Sequence, residues 1–145
     1  MDDEQSVYIV DDDQAMRESM QMLLEMLGYR VQSFANAKAF LAFCSDQDCG
    51  CLVLDMRMPD MNGLELQQAL RQRGYELPII FLSGFGDVPT TVRAVQSGAV
   101  DVLEKPVSKS TLTERIERAF EIDRRRRDDE SSRSARARLR PTGQR

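Results

Sequence analysis

Short apolar runs alternate with segments of helical periodicity along most of the chain, and few folds accommodate that pattern. Five apolar runs occur, at Val7–Val10, Val31–Phe34, Cys51–Leu54, Ile79–Leu82 and Val100–Leu103. Five helix candidates follow them in turn, at Ala15–Leu27, Asn36–Cys44, Gly63–Arg73, Val88–Ser97 and from about Ser108 into the 120s. This alternation predicts a parallel sheet with helices on both faces.

The polarity of the runs predicts their order in the sheet. The first, third and fourth runs are almost entirely apolar, as expected of strands that are covered on both faces. The second and fifth contain polar residues, Gln32, Ser33 and Asp101, which suits sheet edges. With right-handed crossovers, these edges fit the order 2-1-3-4-5 of a doubly wound, flavodoxin-like (βα)5 fold in the α/β class. A ligand site is then expected outside the carboxyl ends of the first and third strands.

Individual residues predict where several helices begin and end. Gly28, Gly74 and Gly98 stand where helix C-terminal caps are expected. Asp87-Val88-Pro89 is typical of a helix start, with proline in the first turn. Asp13 precedes the first helix and is interpreted as its N-cap or as a solvated side chain.

Charge divides the chain into two parts. Residues 1–123 carry 11 basic against 21 acidic residues, a net of −10, whereas residues 124–145 carry nine arginines against three acids, a net of +6. We therefore expect an acidic domain at 1–123 and a basic linker or tail at 124–145, helical at first and then disordered. A nucleic-acid-binding arm and a solvated extension remain open alternatives for this tail.

Other features bear on the compartment. The chain lacks a run of ~20 apolar residues that could cross a bilayer and a basic, apolar N-terminal signal, so a cytoplasmic location away from the membrane is expected. The three cysteines, Cys44, Cys49 and Cys51, are a poor disulfide framework. With no histidine and no fourth thiolate, they are also a poor zinc site, and Cys51 is expected to pack as a small apolar residue.

Polar residues follow four of the five apolar runs. They are Asp11-Asp12-Asp13, Asp55, Ser83 and Lys105-Pro106. Each is ordinary alone, but the carboxyl ends of parallel strands share one rim, so these side chains should meet there. Clustered carboxylates repel one another and favour a hard cation such as Mg²⁺. Such a cation, with Lys105, would offset the charge when one carboxylate attacks a phosphoryl group, and Ser83 would donate to that group.

Four motifs carry a resemblance to a known family: Val10-Asp11-Asp12, the stretch 54–63, Ser83-Gly84 and Glu104-Lys105-Pro106. Over residues 6–122 the chain resembles the receiver domains of bacterial two-component response regulators. The stretches 84–89 and 98–101 are similar to the FixJ-type subfamily of LuxR-class transcriptional regulators. The resemblance implies that Asp55 accepts a phosphoryl group from a sensor histidine kinase.

The resemblance also implies roles for the neighbours of Asp55. Asp11 and Asp12 would hold Mg²⁺ with Asp55 and the backbone carbonyl of Arg57, with Asp12 the more direct ligand. Ser83 would be the switch hydroxyl, Lys105 would contact the phosphoryl group, and a cis peptide would precede Pro106.

The signal leaving the site is expected to depend on the face that carries Val102 and Pro106. Receivers often have Tyr or Phe at the position of Val102, which is too small to move inward in the same way. Coupling is therefore expected through the loop 84–86 and the helix that follows it. The family resemblance implies a phosphorylation-dependent homodimer through that helix and the fifth strand, with DNA bound only by an output domain absent from this chain.

Three other interpretations were weighed. A stand-alone receiver that acts by protein–protein contact remains open. An aspartyl-phosphate phosphatase needs a second aspartate two residues after the nucleophile, where this chain has Arg57. A flavin-binding module needs a phosphate loop after the first strand, where Asp11–Asp13 would repel phosphate.

Overall fold

The computed structural model of the protein describes residues 5–84, 96, 98 and 101–139. Its five strands are β1 (Ser6–Val10), β2 (Arg30–Phe34), β3 (Gly50–Asp55), β4 (Ile79–Ser83) and β5 (Asp101–Glu104). All neighbouring strands are parallel, in the order β2-β1-β3-β4-β5. The predicted fold class and strand order are confirmed.

Four helices lie within the described residues. They are α1 (Gln14–Met26), α2 (Ala37–Phe43), α3 (Gly63–Gln72) and α4 (Lys109–Leu139). The predicted helix at Val88–Ser97 lies outside the described residues except for Gln96, so α4 corresponds to the fifth predicted helix. In the part of the chain that is described, none of the helices has the length and apolar character that crossing a bilayer requires.

The core forms two layers, one on each side of the sheet. Strands β1, β3 and β4 are buried along their whole length, whereas β2 and β5 are half-exposed, as their polarity predicted. One layer includes Phe40 of α2 and Leu66 of α3. The other includes Leu24 of α1, Ile116 of α4 and Cys51, which packs as the small apolar residue expected.

Short-range hydrogen bonds set the helix ends. The carboxylate of Asp13 accepts from the backbone N–H of Met16 at 3.2 Å, which makes Asp13 the N-cap of α1. Asn62 and Glu65 form a reciprocal capping box at the start of α3. Gly28 and Gly74 adopt φ of 98° and 78° just after α1 and α3, as the cap prediction required.

A buried carboxylate anchors α4 to the end of the sheet at which the strands begin. Asp123 is fully buried, and its Oδ2 accepts from the backbone N–H of Gly50 at 2.9 Å and from Nε2 of Gln5 at 3.2 Å. Arg126 and Arg127 donate to the same carboxylate, at 2.6 and 3.2 Å. Burying a charge is costly unless it is paired and hydrogen-bonded, and here both conditions are met. We call this cluster the Asp123 anchor.

Beside the Asp123 anchor, the backbones of β1 and β3 approach closely at Gly50. Gly50 has a φ of 123°, and a Cβ at this position would lie 1.9 Å from the carbonyl oxygen of Ser6. Only glycine therefore fits where β3 begins beside β1.

Replacing Asp123 by alanine should destabilise the domain by about 3 kcal/mol, because it leaves buried donors without their charged acceptor. Asn should cost less, since it keeps one acceptor oxygen. Urea unfolding followed by circular dichroism measures both. The exposed Asp128, five residues further along α4, is the matched control, and its alanine variant should change stability by less than about 0.5 kcal/mol. Equal losses at the two positions would contradict the anchor.

Candidate functional site

The carboxyl ends of four strands bring the predicted residues to one rim of the sheet. Asp11 directly follows β1, and Asp55 and Ser83 are the last residues of β3 and β4. All three are buried, with 6% or less of their surface exposed. Lys105 follows β5, and its backbone N–H donates to the carbonyl of Ser83 at 2.8 Å. The alternation of apolar runs therefore placed these residues at one edge, as expected.

Three carboxylates converge at this rim. One oxygen from each of Asp11, Asp12 and Asp55 lies within 4.8 Å of the others. Asp11 and Asp55 are buried, whereas Asp12 is exposed. Asp13 is adjacent in sequence, but its carboxylate is used to cap α1. The structure thus groups three of the four acidic side chains here into a candidate metal site.

The hydrogen bonding of Asp11 tests whether a cation fits. Its Oδ1 accepts from the backbone N–H of Asp13 at 3.0 Å. Its Oδ2 is buried and has no hydrogen-bond partner. Buried polar atoms normally have a partner, and an orphan carboxylate oxygen beside two further carboxylates is what a cation would satisfy. An all-oxygen donor set suits Mg²⁺, so the residues present fit that ion.

The surroundings of Asp55 have opposing effects on the pKa of its carboxyl. Burial raises the pKa of its carboxyl to about 6, and the negative charge of Asp11 adds to this rise. Lys105, whose Nζ lies 3.1 Å from Oδ1 of Asp55, and a hydrogen bond from the backbone of Arg57 act in the opposite direction. Above neutral pH the carboxylate is mostly ionised but poorly stabilised, which is the state required of a nucleophile.

The remaining predicted residues lie close by. The peptide between Lys105 and Pro106 is cis, as the resemblance implied. The side chain of Arg57 is exposed two residues after Asp55. Val102 is half-buried against the core layer of α2 and α3, and Pro106 is exposed. The roles assigned to these residues remain predictions.

One contact at this rim was not apparent from the sequence. Nη1 of Arg17, in the first turn of α1, donates to the backbone carbonyl of Asp11 at 2.7 Å. An arginine on a helix gives no sequence signal for a contact with a carbonyl six residues earlier, because the direction of the side chain depends on tertiary structure.

The match with known families decides the class of protein. Residues 7–117 match the family described as response regulator receiver domain. The chain belongs to the response regulator receiver family. Among its relatives, the response regulator protein TmoT of Ectopseudomonas mendocina is 45% identical over 123 residues, which are 84% of this chain and 56% of TmoT. The transcriptional regulatory protein FixJ of Rhizobium meliloti is 46% identical over 116 residues, 80% of this chain and 57% of FixJ.

Solved structures agree with the family assignment. The response regulator StyR superimposes with a TM-score of 0.89 at 38% identity, covering 94% of this chain and 69% of that of StyR. The structure titled FixJ-N superimposes with a TM-score of 0.77 at 45% identity, covering 81% of this chain and 94% of its own. The protein is thus a receiver of the FixJ type and a signalling domain rather than a conventional enzyme. It spans about half the length of the curated relatives that it matches.

The raised pKa of Asp55 predicts how stability depends on pH without Mg²⁺. Because the folded state holds the proton of Asp55 more tightly than the unfolded state, the contribution of Asp55 to stability should fall as pH rises from about 4 through about 6. Replacing Asp55 by Asn should therefore stabilise the metal-free protein at pH 8, by on the order of 1–3 kcal/mol. Thermal melting of both proteins from pH 4 to 8 measures the difference, which should shrink towards pH 4.

Asp60, exposed in the loop after β3, provides the matched control. Asp60→Asn removes one negative charge near the same rim and should show no comparable gain at pH 8. An advantage of Asp55→Asn that grows on acidification would contradict the proposed cost of burying the ionised Asp55 carboxylate.

Proposed function

We propose that Asp55 accepts a phosphoryl group from a sensor histidine kinase. The observation that supports this is the contact of one buried carboxylate with Lys105 on one side and with two further carboxylates on the other. Phosphorylation on aspartate is general to the family to which the chain belongs. In the same proposal Asp11, Asp12, Asp55 and the carbonyl of Arg57 hold Mg²⁺.

The residues of this chain supply positioning and charge for the transfer. An oxygen of Asp55 attacks the phosphorus of a phosphohistidine, the P–N bond breaks, and the imidazole nitrogen keeps the electron pair. Lys105, 3.1 Å from Oδ1 of Asp55, offsets negative charge as the O–P bond forms. Bound Mg²⁺ would neutralise the transferring oxygens. The domain would catalyse its own phosphorylation and later dephosphorylation and would act on no other substrate.

Incubation with acetyl phosphate and Mg²⁺ should add one phosphoryl group, detectable by intact mass and removed by hydroxylamine. Asp55→Asn should acquire none, because no other carboxylate has the same contacts with Lys105 and the acidic cluster. Addition of EDTA should stop labelling of the wild-type protein. Labelling of Asp55→Asn at the wild-type level would show that Asp55 is not the acceptor.

Neighbouring aspartates give a matched pair for the metal site. Asp12 belongs to the carboxylate cluster, whereas Asp13 caps α1. Asp12→Ala should weaken Mg²⁺ binding by about tenfold or more, and Asp13→Ala should mainly reduce stability, by about 1 kcal/mol. Calorimetric titration of Mg²⁺ against each variant measures this. Equal losses of affinity would mean that the ligands are misassigned.

Ser83 is the residue through which the signal would leave the site. Its position at the end of β4, buried beside the rim, supports a hydroxyl contact with the phosphoryl group. Val102 on β5 is half-buried and has little volume to follow a movement of Ser83. We therefore place the coupling in the segment after Gly84, which lies outside the described residues. A homodimer through the predicted helix Val88–Ser97 and the face of Val102 and Pro106 completes the proposal.

Phosphorylation should shift the protein towards a dimer, and Ser83→Ala should lose much of that shift. The shift is limited by the differential affinity of the phosphoryl group for the two conformations, so it is expected to be partial. Sedimentation velocity with and without beryllofluoride measures it. Ser110→Ala, at an exposed serine of α4, serves as control. A Ser83→Ala protein that carries the mimic and dimerises as readily as wild type would exclude this route.

The C-terminal segment is best explained as a connector to an output domain. Helix α4 continues to Leu139, and the Asp123 anchor lies at the proposed boundary between 1–123 and 124–145. The first four arginines of the C-terminal segment form ion pairs: Arg124 and Arg125 with Glu121, and Arg126 and Arg127 with Asp123. These pairings favour a connector over a nucleic-acid-binding arm.

We propose that the whole protein regulates transcription, as its relatives' names indicate for them. The sequence that follows residue 145 in the gene distinguishes this from a stand-alone receiver.

A further inference from the structure

We propose that Arg17 is a positioning residue that holds the loop Asp11–Asp13 in its metal-binding arrangement. This inference rests on the proposed Mg²⁺ site. Arg17 would act through the peptide backbone of Asp11 and would touch neither the metal nor the phosphoryl group. Its removal should therefore weaken Mg²⁺ binding without removing any ligand.

The contacts of the Asp11 peptide support this role. The backbone N–H of Asp11 donates to the carbonyl of Phe34 at 3.1 Å, at the end of β2. The carbonyl of Asp11 accepts from Nη1 of Arg17 at 2.7 Å. The backbone N–H of Arg17 donates in turn to the carbonyl of Asp13 at 2.9 Å. Arg17 thus closes a bridge from the first turn of α1 back to the end of β1, with the acidic loop inside it.

The loop needs such a bridge because the strand ladder ends beside it. The pairing of β1 with β2 and with β3 stops at Val10, so the carbonyl of Asp11 lies beyond the sheet's own hydrogen bonds. Asp12 follows immediately and is exposed. Without a donor on the Asp11 carbonyl, the peptide between Asp11 and Asp12 is freer to rotate, and both carboxylates move with it. Metal ligands that depend on a second group for orientation lose affinity when that group is removed.

The positive charge of Arg17 would affect Mg²⁺ affinity in the opposite direction from its hydrogen bond, and the geometry indicates which effect is larger. A cation near the acidic cluster would repel Mg²⁺, so its loss could tighten binding. However, among the described residues no ion pair joins Arg17 to Asp11, Asp12 or Asp55; its guanidinium bonds a neutral carbonyl. The side chain is also only half-buried, so solvent screens its charge. The hydrogen bond should therefore dominate.

The test is a calorimetric titration of Mg²⁺ against the 145-residue chain and four variants at pH 8. Arg17→Met keeps the aliphatic stem and should weaken Mg²⁺ binding by about tenfold. Arg17→Lys and Arg17→Gln each restore a donor, one charged and one neutral, and should recover part of the loss. Arg30→Met is the control: Arg30 is exposed at the amino-terminal end of β2, so the same charge is removed far from the rim.

A second readout separates orientation from general destabilisation. Acetyl phosphate labelling of Arg17→Met should be slow at low Mg²⁺ and approach the wild-type rate at saturating Mg²⁺, which a damaged fold would not do. If circular dichroism shows that Arg17→Met does not fold, the same titration is made with Arg17→Gln and Arg17→Lys. The Arg17→Gln protein should then bind Mg²⁺ more weakly than wild type.

The outcomes distinguish this proposal from the one on which it rests. Wild-type affinity, or tighter binding, in Arg17→Met overturns the role of Arg17 while leaving the Mg²⁺ site intact. If the wild-type chain itself binds no Mg²⁺, or if Asp12→Ala and Asp55→Asn bind it as well as wild type, the metal site and the role of Arg17 both fail.

Discussion

Mutual repulsion among three carboxylates at the end of an apolar sheet is the constraint around which this domain is organised. Strands β1 and β3 are buried throughout, yet β1 leads directly into Asp11 and β3 ends in Asp55, and these two buried carboxylates lie close together. The sheet can hold them because its order puts the ends of these two strands side by side, and because Lys105 is delivered from β5. The raised pKa of Asp55 and the unpaired oxygen of Asp11 both reflect this arrangement.

The opposite edge of the sheet shows how the same residue type behaves when it is structural. Asp123 is as deeply buried as Asp11, but its two oxygens accept from backbone, amide and guanidinium donors. Asp11 keeps one oxygen without a partner. A buried carboxylate whose oxygens are all paired contributes to stability, whereas an unpaired buried oxygen is what the proposed Mg²⁺ would satisfy. The anchor thus lies at one end of the sheet, and the proposed chemistry lies at the other.

The sequence predicted much of the fold because strand polarity and helix caps are local properties. Buried and edge strands were distinguished by their apolar content, and Asp13 was recognised as a cap by its position before α1. The site was found from the rule that parallel strands end at one edge. The sequence predicted that the tail begins as a helix but not that α4 reaches Leu139, because the apolar stripe stops near Ile122. The helix continues on ion pairs of Arg124–Arg127 with Glu121 and Asp123.

The order of residues in the sequence thus determined which of them reach the rim, because the last residues of parallel strands all lie at the same end of the sheet. What the side chains do there depended on contacts between distant segments. The sequence alone did not show that Asp11 has an unpaired oxygen or that Arg17 donates to the Asp11 carbonyl. It also did not show that Asp123 accepts a hydrogen bond from Gly50, 73 residues away in the chain. Hydrogen bonding is directional over about 3 Å. Only the packed arrangement of helices on the sheet brings donors and acceptors within that distance.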